Sequence, residues 1–169
     1  MLIENIASKD IDTNINITPV PRDNFTSDTG RTFHHFIDIY LKDSNAYTNT
    51  YFARYFEWQG ICRERWFHQC ISADMLQAQG VFITKHAHQE YIQETFPFQT
   101  VECKMNTFDI KQCSFSLLFQ FYVDGKSVST GYQKIVFADH DKKIIRLPDH
   151  ILEKIRQFEL PPEKLKKAA

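Results

Sequence analysis

The stretch from Asp43 to Cys70 constrains what this chain can fold into more than any other. It opens as a short polar loop, Asp43-Ser44-Asn45, and becomes the longest helix-compatible segment in the sequence. Large side chains recur at Tyr51, Tyr55, Trp58 and Cys62, the i, i+4, i+7, i+11 rhythm of one helix face. Phe52, Phe56 and Phe67 lie off that face, so apolar surface covers much of the circumference. A helix of that kind is expected to be buried. Beyond the helix the chain reads mostly as strand. A buried helix that precedes a run of strands implies a sheet wrapped around a central helix.

The strand pattern supports this. Phe33 to Leu41 alternates His35, Ile37, Ile39 and Leu41 against Phe36, Asp38 and Tyr40, and it delivers the polar loop. After a connector closed by Gly80, Val81 to Ile92 reads as a strand that ends near Pro97, which has no N–H for a ladder. Thr100 to Lys111 sets Val101, Cys103 and Met105 against Glu102 and Lys104. Ser114 to Val123 sets Phe115, Leu117, Phe119 and Phe121 on one face. Asp124-Gly125 is a two-residue hairpin signal, and Ser127 to Ala138 is the last long strand. Pro148 then introduces a C-terminal helix, Asp149 to Glu159, with Ile151, Leu152, Ile155 and Phe158 at helical spacing. Helix grouped before strands argues for an α+β fold, an antiparallel β-sheet wrapped around a long central α-helix.

The 169 residues suit one domain with tails. Residues 1–31, rich in Asn, Asp, Thr and Ser, read as an irregular leader, with one short strand through Ile15 and Ile17. Residues 32–160 read as a single domain, and 161–169 as a lysine-rich tail. A formal net charge of -1 argues against nucleic acid as a partner, which a basic face would announce. No apolar run is long enough to span a bilayer, and the first residues lack a signal-peptide pattern. The expectation is a cytoplasmic protein with reduced cysteines at Cys62, Cys70, Cys103 and Cys113, which show no zinc spacing. His86-Ala87-His88 puts two imidazoles on one strand face, but no third ligand completes a metal site. No metal or cofactor is expected.

Asp43-Ser44-Asn45, Asn49, Tyr51, Tyr55, Trp58-Gln59-Gly60 and Cys62-Arg63-Glu64 resemble the hotdog-fold thioesterases of enediyne polyketide biosynthesis. That branch lies within the broader family similar to 4-hydroxybenzoyl-CoA thioesterase. The resemblance covers roughly Phe33 to Phe67, and Trp-Gln-Gly-x-Cys-Arg-Glu is its most specific part. It implies a thioester hydrolase acting on an acyl or polyketide chain borne by an acyl carrier protein or CoA. It also implies a homodimer or homotetramer with active sites between subunits.

The residues carry that implication unevenly. In the broader family an acidic residue at the Asn45 position attacks the thioester or activates water. An amide does neither well, but offers donors and an acceptor. Asn45 therefore orients water or holds the thioester carbonyl; the alternative is a turn residue. Arg63 matches the family's active-site arginine and can stabilise an oxyanion or bind phosphopantetheine. Its alternative is an ion pair with Glu64, Glu57 or a neighbouring subunit. The helix's first turn leaves N–H groups unpaired, and the resemblance assigns the carbonyl-polarising donor to Phe52 N–H or its neighbour Tyr51 N–H. The Tyr55 hydroxyl can reach the same site, or its ring can serve as core. Asn49, Tyr51 and Trp58 complete the substrate-binding set. The family commonly has Gly just before Asn49, where this chain has Thr48. Gly there marks positive φ or a close approach, and β-branched Thr tolerates positive φ poorly. Either the loop takes another path or substrate approach is altered. Two rival functions stand beside hydrolysis. One is a hotdog dehydratase or isomerase, which needs an acid–base pair such as His with Asp or Glu. The other is a non-catalytic module that binds acyl chains or assembles a complex.

Overall fold

The computed structural model describes residues 31–74 and 80–161. The leader, its Ile15–Ile17 strand, the end of the connector and nearly all of the lysine tail lie outside the described residues. Chain order is β1 (Phe33–Asp38), a 3-10 turn (Leu41–Asp43), α1 (Arg54–Trp66), a π-helical turn (Phe67–Ile71), β2 (Val81–Tyr91), β3 (Thr100–Phe108), β4 (Ser114–Val123), β5 (Lys126–Ala138) and α2 (Asp149–Arg156). Among the described residues the strands form one antiparallel sheet in the order β1-β3-β4-β5-β2. The fold is α+β, a sheet curled around α1, as the resemblance implies.

Alternation in the sequence becomes the inner face of the sheet. Val101, Cys103 and Met105 of β3, and Phe115, Leu117, Phe119 and Phe121 of β4, are all fully buried in one core. Strand side chains alternate between faces, so the same register that seats these residues against α1 turns Glu102 and Lys104 outward. The Asp124-Gly125 hairpin forms with φ of 50° and 74°, the positive pair a tight two-residue turn needs. A lesser cluster of Phe108, Leu118, Tyr132 and Leu160 lies apart from the main core.

Helix α1 departs from the expectation of burial all round. Tyr55, Trp58, Gln59, Cys62 and Trp66 are buried, which is one stripe at helical spacing. Tyr51, Phe52, Phe56 and Ile61 are exposed. The sheet supplies one apolar wall, and one wall can cover only one side of a helix. Tyr51, Phe52 and Phe56 therefore do not hold the sheet to the helix. The helix also begins later than the aromatic rhythm suggests. Tyr51 and Phe52 belong to the approach to α1, with Ala53 as its cap residue.

The C-terminal end of α1 is closed by rings. Trp66 meets Phe158 edge-on at 5.5 Å, and Phe67 stacks on Phe82 at 4.5 Å. The helix α2 seals this end, with Ile155 buried and Lys154 Nζ donating to the Ile71 carbonyl at 2.8 Å. No helix of the described residues is long and apolar enough to cross a membrane.

Candidate active site

The loop before α1 is shaped by a buried carboxylate. Asp43 is 3% exposed. Its Oδ2 accepts the Tyr40 N–H at 2.9 Å, and its Oδ1 takes Lys42 Nζ at 2.9 Å and lies 3.6 Å from Arg54 Nε. Burial alone pushes its pKa up. The Tyr40 N–H and the charges of Lys42 and Arg54 outweigh that and hold it below the usual carboxylate value. The Asp43 carbonyl accepts the Tyr51 N–H at 2.8 Å. One of the two expected oxyanion donors is thereby spent: Tyr51 N–H closes the loop and is not free for a substrate.

The other donor stands differently. Among the described residues no carbonyl accepts the Phe52 N–H. The Tyr51 carbonyl, in the same peptide plane, accepts the Arg54 N–H at 3.0 Å. C=O and N–H point opposite ways in a trans peptide, so Phe52 N–H points out of the helix N-terminus. The Phe52 carbonyl is held by the Tyr91 hydroxyl, which donates at 2.8 Å. Burial and the neighbouring Tyr55 push the Tyr91 pKa up to about 12, so this hydroxyl keeps its proton.

Asn45 sits in a tight turn. Its N–H donates to the Asn49 carbonyl at 2.9 Å, and its carbonyl accepts the Thr48 N–H at 3.0 Å. Its Oδ1 accepts the Tyr47 N–H at 2.8 Å. These contacts show Asn45 as a turn residue. The side-chain oxygen builds the turn, while Nδ2 makes no hydrogen bond among the described residues. Thr48 adopts φ 66°, the left-handed conformation that favours Gly. The loop keeps the glycine path and bears the strain of a β-branched residue on it.

A pocket of about 440 Å³ opens here. It is lined by Asn45, Asn49, Thr50, Phe52, Tyr55 and the segment from Tyr91 to Thr95. Two clamps tie its walls together. Asn49 Nδ2 donates to Glu94 Oε1 at 2.7 Å. The Thr95 hydroxyl contacts both the Thr50 hydroxyl at 2.8 Å and the buried Tyr55 hydroxyl at 2.9 Å. Burial pushes the Tyr55 pKa up, and the Thr95 hydrogen bond only partly offsets it. Asn49 Oδ1 is buried with no partner.

Asn45, Asn49, Phe52 and Tyr55 thus meet in one place, and the other expected site residues do not join them. Trp58 packs inside, edge-on to Tyr55 at 4.7 Å and tilted against Phe121, so it is a core residue and not a wall of this pocket. Tyr51 lies outside it, its ring on Phe52 at 4.7 Å. Arg63 stands eight residues beyond Tyr55, about 12 Å along the helix axis. Its Nη1 donates to the Thr84 hydroxyl and to Gln133 Oε1. Neither expected ion pair is its contact; Glu57 is taken by Arg54 at 2.7 Å. Burial pulls the Arg63 pKa below its usual value, and Glu64 restores part of it.

Arg63 ends a buried amide chain. Gln133 Nε2 donates to Gln59 Oε1 at 3.0 Å, and Gln59 Nε2 donates to the His88 carbonyl at 2.9 Å and to Gln89 Oε1. Gln59 is fully buried and satisfied by this chain. Gly131 makes room for it; a Cβ there would collide with the Gln59 and Gln89 amides and the His88 carbonyl. His86 and His88 stack on Tyr132, away from the pocket. Among the described residues no three His, Cys, Asp or Glu side chains are grouped to hold a metal.

Tyr91, Glu94 and Thr95 escaped the sequence reading. They stand at and beyond the end of a strand, where no periodicity or motif marks them, and only β2's return beside the α1 loop gives them a role.

The family model described as the thioesterase-like superfamily matches residues 23–155. No curated protein matches the chain by sequence. The fold is similar to that of the dynemicin thioesterase, whose crystal structures reveal induced-fit and allosteric effects upon polyene binding, with TM-score 0.71 and 19% identity over 78% of this chain and 99% of that one. It is similar to a Staphylococcus aureus hypothetical protein solved in complex with CoA, with TM-score 0.72 and 13% identity over 80% and 92%. It is also similar to a 1,4-dihydroxy-2-naphthoyl-CoA thioesterase from Synechocystis, with TM-score 0.67 and 14% identity over 78% and 100%. The match across most of the chain, on a sheet curled around one helix, makes this protein a hotdog-fold member of the thioesterase-like superfamily.

Proposed function

We propose that this protein hydrolyses acyl thioesters borne by CoA or an acyl carrier protein, with a long acyl or polyketide chain as the acyl group. The observation that carries the reading is the unclaimed Phe52 N–H at the N-terminal end of α1, in a largely apolar pocket that Phe52 and Asn45 both line. A thioester carbonyl placed there meets two donors and the positive end of the helix dipole. Both donors strengthen as negative charge develops on oxygen, which is where such groups lower a barrier. The CoA-bound and CoA-thioesterase neighbours support a CoA substrate, and the dynemicin neighbour supports a polyene-like chain.

Arg63 is assigned to the pocket of a second copy. Its Thr84 contact lies on β2, a strand that is an edge of the sheet among the described residues. An unpaired strand of this length invites pairing with another chain. Joining two copies there, with the exposed Tyr51, Phe52 and Phe56 covered, is the homo-oligomer this reading calls for.

The dehydratase reading is disfavoured by the pocket walls, which include no histidine. A His–carboxylate pair, His34 with Glu102 at 2.7 Å, lies on β1 and β3 instead. A panel of CoA and carrier thioesters across acyl lengths tests hydrolysis, with released thiol as the readout. Asn45→Ala and Arg63→Ala are each expected to lower turnover at least about tenfold with the fold intact. Full activity in both variants would remove the site assignment. Acyl ligand binding with no turnover anywhere in the panel would favour the binding module.

A further inference from the structure

We propose that Glu94 is the general base that activates the hydrolytic water, a role that rests on the thioester-hydrolase reading. The loop position where the wider family has a carboxylate holds Asn45. Its only good acceptor, Oδ1, is already committed to the Tyr47 N–H at 2.8 Å, so toward a substrate Asn45 is a donor alone. Asn49 offers no substitute, because Nδ2 is spent on Glu94 and Oδ1 is buried beyond the reach of water. The Tyr91 hydroxyl is spent as a donor to the Phe52 carbonyl, and the Tyr55 hydroxyl is tied to Thr95. Among the residues lining the pocket, Glu94 carries the only carboxylate.

Its placement suits the task. The 2.7 Å bond from Asn49 Nδ2 fixes Oε1 against the same turn that carries Asn45. Oε2 makes no hydrogen bond among the described residues. The side chain stands at the exposed rim, where water enters. Asn49 thereby acts as a positioning residue for the base.

The step balances with water as the only co-reactant. Glu94 Oε2 takes a proton from water as the water oxygen bonds to the thioester carbon. The carbonyl electron pair moves to oxygen, which faces Phe52 N–H and Asn45 Nδ2. Collapse reforms C=O and breaks C–S, and Glu94 returns its proton to the leaving sulfur. A free acid and a thiol leave.

The test uses the purified full chain, whichever CoA thioester of the panel is turned over, and two nucleophiles, water and added hydroxylamine. Hydroxylamine attacks a thioester without a base to deprotonate it, so its reaction bypasses Glu94. In Glu94→Gln, which keeps the acceptor for Asn49, kcat for hydrolysis is expected to fall about 100-fold with KM little changed. Hydroxylamine-dependent thiol release, taken above the protein-free rate, should stay at the wild-type level. Glu94→Asp should recover part of the hydrolysis. Hydrolysis at the wild-type rate in Glu94→Gln overturns the base role and leaves the thioesterase reading standing. Equal loss with both nucleophiles also overturns it, since that marks a structural contribution. A wild-type chain that does not raise thiol release above the protein-free rate with either nucleophile overturns both readings together.

Discussion

At its C-terminal end α1 runs into Trp66 and Phe67, each at most 1% exposed and packed against Phe115, Phe82 and Phe158. At its N-terminal end the same helix emerges from a loop with Thr48 at φ 66°, exposed Tyr51 and Phe52, and buried atoms that make no hydrogen bond among the described residues at Asn49 Oδ1 and Arg54 Nε. The closed end carries one such atom, Trp66 Nε1. Between them the Gln59 chain fastens the middle of the helix to β2 and β5. The difference teaches where this fold keeps its stability and where it leaves room for the proposed chemistry. Apolar burial is concentrated at the end away from the pocket. Left-handed strain and exposed rings are concentrated at the end that carries the pocket, as expected if that end is the site and the other the scaffold.

Breaking the closed end should have the largest effect on stability. Trp66→Ala is expected to lower unfolding free energy by about 3–5 kcal/mol in a denaturant titration. Turnover per folded molecule should survive, because the pocket lies at the other end of α1. Activity lost before the fold is lost would erase the distinction between the ends.

Asp43 sharpens the comparison from the loop side. Its folded pKa is depressed below the unfolded value, so its stabilisation is present above about pH 4 and lost as pH falls through the folded pKa. Asp43→Asn removes the ionised form of those contacts, on the order of 1–2 kcal/mol at neutral pH. Thermal melts of the two chains should therefore converge as pH drops below about 4. A melting-temperature gap that stays constant down to acid pH would mean that the carboxylate's charge does not hold this loop.

The smallest effect is expected at Thr48. Thr48→Gly relieves left-handed strain of about 1–2 kcal/mol, partly offset by about 0.5–1 kcal/mol from glycine's greater freedom in the unfolded chain. The melting temperature should rise slightly, with turnover retained. A clear fall in turnover would give the Thr48 side chain a role beyond filling a glycine position.

Much of this architecture was legible in the residues alone. Period-2 alternation located β3 and β4 and their buried faces, because a strand with one covered face must alternate. Asp124-Gly125 marked the hairpin, because few residue pairs accept two positive φ values in succession. The Asp43 loop and the presence of a helix after it were legible as a motif, and Asn45, Asn49, Phe52 and Tyr55 do meet at one pocket.

Tertiary structure decided the rest. Sequence periodicity reports which side chains share a helix face, but not how much wall the sheet provides to cover it. Phe52 and Phe56 therefore read as core and stand exposed. Helical spacing put Arg63 near the motif in sequence, yet about 12 Å of rise separates it from Tyr55. Tyr51 N–H and Phe52 N–H are neighbours in the chain, but a carbonyl supplied by the turn at Asp43 claims the first and leaves the second. Glu94 carries no local signal at all. It enters the pocket because antiparallel pairing of β2 with β5 fixes where β2 ends, and that end lies beside the loop that leads into α1. The stretch from Asp43 to Cys70 determined that a helix would sit inside a sheet; long-range pairing determined which of its atoms were left free to act.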